Sequence, residues 1–350
     1  MKSVSLILFA AAVLIGHPDA RAAKAKTKVW TDAADSTLPA DFTIQGEYVG
    51  ESHGAQVIAL GGGQFQAVLY PGGLPGAGWD GEHRSLMHGV LKDGQAQFKP
   101  ADGDRRYLAQ EAAQFSASKT YPPAGHAKFS GSANGERFVI RAGDSKKIVL
   151  KRTVRKSSTM GLKAPARAQI LFDGSNADAF SGGRLDEKTK LLNTDGKDIR
   201  TNDEYNDYTM HIEFMLPYRP NARGQGRGNS GFYQVDHFEV QILDSFGLEG
   251  LNNECGGVYT KANPKVNMCL PPLTWQTYDV EFTNAVSVAG KKIRNARMTV
   301  KHNGVVIHDD LEIKGKTGGA RRDPEGTPGV IKLQGHGNPM QFRNIWIQVK

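Results

Sequence analysis

Tyr208-Thr209-Met210-His211-Ile212-Glu213-Phe214-Met215-Leu216 sets large apolar side chains at every second position, with Thr209, His211 and Glu213 between them. A period of two marks a strand buried on one face. The alternation recurs in Tyr278, Val280 and Phe282, and in Met298 and Val300 ahead of the hairpin turn Asn303-Gly304. It continues in Val305 to Ile307, at Ile331 and Leu333, and in Ile345, Ile347 and Val349. Helical periodicity is scarce. Many short antiparallel strands joined by Gly-rich turns predict an all-β fold, a sandwich or jelly roll.

The first half is also strand-rich, in Phe42 to Tyr48, Ala55 to Leu60, Gln64 to Tyr70 and Phe138 to Val149, with Gly61-Gly62-Gly63 as a hairpin connection. It reads as a smaller β-rich accessory domain over residues 23–151. Residues 152–167 are basic, contain Ser157, Ser158, Gly161 and Pro165, and lack a period, as a linker would. Residues 168–350 form the second domain. At the start, the apolar run Val4 to Gly16 follows Lys2 and precedes Ala20-Arg21-Ala22, the pattern of a secretory signal peptide over residues 1–22. The run is shorter than the roughly 20 residues needed to cross a bilayer, and no later stretch is longer, so no membrane span is expected. The expected location is secreted or periplasmic.

The 350 residues hold 44 Lys and Arg against 36 Asp and Glu, a formal charge of +8. The basic residues are scattered apart from the region Lys151 to Arg167, which argues against a dedicated nucleic-acid surface. Gly 41 and Pro 16 exceed the usual share, yet no G-X-Y repeat is present, so they belong to turns and collagen is excluded. Cys255 and Cys269 are the only cysteines. In an oxidising compartment they are expected to form a disulfide, closing a loop of about 15 residues worth roughly 3 kcal/mol. Their spacing lacks the partners a zinc site needs.

Gly226-Arg227-Gly228-Asn229-Ser230-Gly231 matches G-x-G-x-x-G, but strand-like sequence follows it where a dinucleotide site requires a helix N-terminus. Dinucleotide binding is rejected, and Asn229 either reaches a ligand or caps a turn. In Asp236-His237-Phe238-Glu239-Val240-Gln241-Ile242-Leu243-Asp244, the apolar Phe238, Val240 and Ile242 face the core while His237, Glu239 and Gln241 share the opposite face. On a convex surface such a row is merely solvated; on a concave sheet it is a sugar-sized polar floor. Asp244 joins that face only if a bulge resets the alternation.

Leu171-Phe172-Asp173-Gly174, Thr201 to Phe214, Gly228-Asn229-Ser230-Gly231, Phe238 to Asp244, Gly256-Gly257-Val258-Tyr259, Trp275, Leu333-Gln334-Gly335-His336-Gly337 and Phe342-Arg343-Asn344-Ile345 stand in an order that resembles the 3-keto-disaccharide hydrolase domain family. The resemblance spans about residues 168–350. It implies a concanavalin A-like jelly-roll β-sandwich acting on an oligosaccharide or glycoside substrate that carries a 3-oxo group. It also implies a functional partner, a sugar dehydrogenase that supplies the ketone. By matching position, the resemblance implies a site on the concave sheet face that includes Glu239, Gln241 and Asp244. The row is also similar to the Glu-x-Asp-x-x-Glu row of laminarinase-type glycosidases, from which Gln241 departs.

A ketone at C3 acidifies the C2 proton and leaves the glycosidic oxygen on C1 in the β position, so a base can trigger elimination. Such a site needs a base, a donor to the enolate oxygen and an acid for the leaving group. Glu239, Asp244 and His336 are the catalytic candidates, with Asn229, Gln241, Tyr259, Gln334 and Arg343 for substrate binding. Each has a structural alternative: His336 in a turn, Arg343 in a pair tying down the last strand, Tyr259 and Trp275 in packing. No cofactor is expected. A divalent cation is left open, although Asp236, His237 and Glu239 are too close on one strand to face a single point. The rival reading is a noncatalytic carbohydrate-binding lectin-like module.

Overall fold

The computed structural model describes residues 28–145 and 147–350. The expected signal peptide, residues 1–22, lies outside the described residues. Eight strands come first: Gly46–Val49, His53–Gly61, Gln64–Pro71, Ser85–Lys92, Gln95–Pro100, Phe129–Ala133, Arg137–Ala142 and Ile148–Thr153. Each pairs antiparallel with the next and the last pairs with the first, so they close into a barrel without free edges. Tyr48, Val57, Phe65, Leu69, Phe98, Phe138 and Ile140 fill the interior. The turn between the second and third strands uses Gly62 and Gly63 at φ 59° and 71°, the left-handed conformation that glycine adopts without a Cβ clash.

His53–Gly61 is buried on both faces after its first residue. Ala55, Val57 and Ala59 point into the barrel, whereas Ile58 and Leu60 point outward into the hydrophobic core of the following domain. Val68, Tyr70, Leu86 and Phe115 join them there. The barrel therefore shares a core with its neighbour.

That neighbour is a two-sheet sandwich. One sheet has eight strands, running in order through Arg184–Asp186, Leu191–Asn193, Gln341–Val349, Tyr208–Met215, Trp275–Thr283, Ala296–His302 and Val305–Ile313, with Gln169–Phe172 also paired to Gln341–Val349. The other has five: Phe180–Ser181, Ile199–Thr201, Lys332–Leu333, Asn229–Gln234 and Phe238–Leu243. Tyr208, Ile212, Phe214, Tyr278 and Phe282 from the first sheet pack with Phe232, Phe238, Val240, Ile242 and Leu333 from the second, as the period of two predicts.

The segment 152–167, expected as a linker, begins inside the last barrel strand and then lies strapped over the sandwich. Arg155 pairs with buried Glu47 at 2.5 Å. Ser157 and Thr159 bond Thr277 and Asp279, each at 2.6 Å, and the Gly161 N–H donates to Glu213 at 2.6 Å. Polar groups on the outer face of the eight-stranded sheet thus find partners in a segment whose sequence shows no period.

On the five-stranded sheet, the register Lys332↔Tyr233↔Glu239 sets those three residues in one cross-strand row, with Gly231↔Gln241 two residues along. All face away from the core.

Candidate functional site

A cavity of about 310 Å³ opens on this outer face. It gathers six of the residues singled out from sequence: Asn229, Glu239, Gln241, Tyr259, Gln334 and His336. Gln225 and Tyr233, which sequence reasoning missed, line it as well. Tyr233 carried a usable signal, since it shares strand parity with Asn229 and Gly231. Gln225 carried none, because it sits in a single 3-10 turn, Gly224–Gly226, too short to show a period.

Glu239 lies at the centre, 3% exposed. Burial raises its carboxyl to about 7, against smaller lowering contributions from the Tyr233 hydroxyl and the Lys332 ammonium. The Tyr233 hydroxyl stands 2.9 Å from Glu239 Oε2 and 2.8 Å from the Gly318 carbonyl oxygen. It has one proton to give. With Glu239 ionised, Tyr233 donates to the carboxylate; with Glu239 protonated, the carboxyl donates to Tyr233, which turns its proton to the Gly318 carbonyl. Both protonation states are therefore hydrogen-bonded.

The neighbours hold this arrangement in place. Lys332 Nζ sits 3.7 Å from the centroid of the Tyr233 ring, pairs with Asp236 at 2.5 Å and donates to the Gly319 carbonyl at 2.9 Å. Any Cβ at residue 231 would collide with the Glu239 carboxyl and the Tyr233 ring, so glycine there clears the space the carboxyl occupies. The Glu239 backbone N–H donates to Thr317 Oγ1 at 2.9 Å, and its carbonyl accepts from the Tyr259 N–H at 3.1 Å.

One wall of the cavity is built of amides. Asn229 Nδ2 donates to Gln225 Oε1 at 3.0 Å, and Gln241 Nε2 donates to the same oxygen at 3.3 Å. Asn229 Oδ1 is buried without a partner among the described residues, an acceptor able to take a hydroxyl proton from a ligand. Exposed His336 stands at the mouth beside half-buried Gln334, its backbone left-handed at φ 45°.

Two candidates lie elsewhere. No bulge interrupts the pairing of Asn229–Gln234 with Phe238–Leu243, so Asp244 keeps the parity of Ile242 and points inward. There it is 1% exposed and accepts from Arg227 Nε at 2.8 Å. Arg343 sits on the outer face of the opposite sheet, donating to Glu213 at 2.7 Å and lying 4.0 Å over the Trp275 ring. A register shift opposite Ile212 turns Arg343 and Asn344 to the same side, and Asn344 also donates to Glu213, at 2.9 Å. Arg343 takes its structural alternative, a pair that ties down the last strand.

The expected disulfide is not shown. Cys255 and Cys269 are buried free thiols, within hydrogen-bonding reach of each other. Cys255 also contacts the Tyr278 hydroxyl at 3.2 Å, and Cys269 the Leu243 carbonyl at 3.5 Å. Among the described residues no group of three His, Cys, Asp or Glu side chains is arranged to hold a metal. Asp236 is paired with Lys332, and His237 Nε2 accepts from Arg321 Nε at 3.1 Å. No helix of the described residues is long and apolar enough to cross a membrane.

The sequence pattern of the 3-keto-alpha-glucoside-1,2-lyase-like domain matches residues 167–348. Among solved structures, the chain is similar to three crystal structures from Parabacteroides distasonis ATCC 8503, each named as a candidate glycosyl hydrolase. The first is 30% identical, with 53% of this chain and 85% of that one covered and a TM-score of 0.49. The second is 18% identical, covering 52% and 94%, with a TM-score of 0.39. The third is 19% identical, covering 52% and 99%, with a TM-score of 0.35. No curated protein matches the chain.

Proposed function

Because the chain belongs to the 3-keto-alpha-glucoside-1,2-lyase-like domain family and is glycoside-hydrolase-like, we propose that it cleaves 3-oxo-glycosides by acid–base elimination, with Glu239 as the base. The observation that carries this reading is the buried Glu239 carboxyl, near neutral in its titration and served by a tyrosine that satisfies it with or without a proton. A group of that kind takes and returns protons at ordinary pH.

In the proposed reaction Glu239 removes the C2 proton of the 3-oxo sugar, and the C2–H electron pair moves into an enolate ending on the C3 oxygen. Hydrogen-bond donors at the cavity wall stabilise that oxygen; Tyr259 is the hydroxyl available for it and Gln334 the amide. The enolate collapses to a C1–C2 double bond and expels the glycosidic oxygen, which takes a proton at the mouth, where His336 stands. Water adding across the new double bond completes a net hydrolysis; release before that step makes the enzyme a lyase.

The substrate's ketone has to come from oxidation of a C3 hydroxyl, so a sugar dehydrogenase is the proposed partner. The leader-like sequence of residues 1–22 supports the reading that this protein works in the periplasm or outside the cell. The test is to incubate the protein with a 3-oxo-disaccharide and with its unoxidised parent and to follow both released sugars. Cleavage of the oxidised substrate alone is expected. Equal rates would favour ordinary hydrolysis, and binding of either without turnover would favour the lectin reading.

A further inference from the structure

Between barrel strands Gln95–Pro100 and Phe129–Ala133 the chain leaves the barrel, and this excursion reaches toward the site. The Tyr107 hydroxyl donates to Glu254 Oε1. Ser118 Oγ and the Lys119 N–H donate to Glu249 Oε2 at 2.9 and 3.1 Å, while Arg84 of the barrel wall pairs with Glu249 at 3.4 Å. Gln110 Nε2 donates to the Asn221 carbonyl at 3.3 Å, and Leu108 packs over Gly224, where an added Cβ would stand 3.2 Å from it. These contacts land on two loops of the sandwich, one around 221–225 and one around 249–254.

Those two loops set the amide wall. Glu254 is 2% exposed, and its Oε2 accepts the N–H groups of Gly250 and Leu251 at 2.7 and 3.0 Å, which fixes the turn around Asn253. The Asn253 carbonyl accepts from Gln225 Nε2 at 2.7 Å. Gln225 Oε1 is then the single atom that accepts from both Asn229 and Gln241. Just beyond Glu254, Gly256 and Gly257 bond the backbone of Gln241 on both sides, at 2.9 and 2.8 Å. Hydrogen bonds and the backbone of the turn 250–254 thus join Tyr107 of the first domain to Asn229 in the cavity of the second.

We infer that the barrel's excursion is a positioning element of the site, in which Tyr107 pins Glu254 so that Gln225 holds Asn229 and Gln241 in the geometry that reads the sugar. Among the described residues the Tyr107 hydroxyl bonds Glu254 and no lining side chain, so its effect falls on substrate binding more than on proton transfer. The inference rests on the proposed function only for the identity of the substrate.

The experiment uses the full chain with Tyr107→Phe, Gln225→Ala and the double variant. For Tyr107→Phe, hydrogen exchange without substrate is expected to quicken in residues 221–229 and 249–257 while the barrel strands keep their protection. KM for a 3-oxo-disaccharide is expected to rise about tenfold, on the order of one buried hydrogen bond, with kcat and its pH profile held within about twofold. Because Tyr107 acts through Gln225, the double variant should bind no more weakly than Gln225→Ala alone. Unchanged exchange in the two loops, loosening across the whole chain, or additive losses in KM would overturn the inference. If the unaltered protein leaves the 3-oxo-disaccharide intact, the proposed substrate is wrong and the exchange pattern alone decides.

Discussion

A carboxyl raised to about 7 costs the folded protein stability whenever it is ionised. Unfolded, Glu239 titrates near 4.5; folded, it keeps its proton up to about 7. Between those values the folded state binds more protons, so its stability falls as pH rises, by about 3 kcal/mol over the window. Glu239→Gln has no such penalty. Urea unfolding of the two proteins at pH 5 and pH 8 should show the variant gaining on the parent by an amount of that order, while its turnover falls about 10²-fold or more. A difference in stability that does not change with pH would mean that Glu239 titrates normally. Activity of the parent should rise with pH through about 7 if Glu239 is the base, and fall if it is the acid. Tyr233 lowers the Glu239 carboxyl by its hydrogen bond, so Tyr233→Phe should move that rise to higher pH and cut turnover at pH 7 about tenfold. An unmoved profile would remove Tyr233 from the proton path.

Among the strands, parity was the most legible property. The row His237, Glu239 and Gln241 was readable from alternation alone, and the structure keeps Glu239 and Gln241 on the cavity face. His237 falls just before the strand begins, in the connection that bonds Arg321. Asp244 was the candidate that required a bulge, and the bulge is absent; the register shift occurs instead beside Asn344, on the other sheet. Bulges depend on pairing between distant strands, which alternation within one strand does not encode. The cysteines are a different case: spacing suggested a bridge, and packing buries the two sulfurs side by side without a bond between them. Alkylation without reductant should leave the native protein unmodified, and two groups added once it is denatured would show free thiols. Denatured protein that takes no label would show the pair oxidised.

At the scale of the molecule, the domain boundary expected near residue 168 meets a shared core. Ile58, Leu60, Val68, Tyr70, Leu86 and Phe115 of the first domain are buried in the same cluster as Phe214 and Ile242 of the second. Removing residues before 168 would strip cover from that apolar surface, leave Glu249 without Arg84 and take the Gly161 N–H away from Glu213. A fragment of 168–350 is expected to aggregate, or to show weaker near-ultraviolet circular dichroism and a lower melting temperature than the full chain. A monodisperse, fully active fragment would show that the interface is dispensable.

By itself the sequence determined the all-β class, the faces of the main strands, the family and six residues of the cavity wall. These are legible because strand parity is local, each residue's face following from its neighbour's, and because short motifs keep their order along the chain. Tertiary structure alone decided that Tyr233 and Lys332 stand beside Glu239, that Gln225 ties the amide wall, that Asp244 and Arg343 serve ion pairs away from the cavity, and that the barrel braces the site. Each depends on which distant segments pair and on how much water their packing excludes. Burial, which no single stretch of sequence contains, is also what moves the Glu239 carboxyl to neutrality.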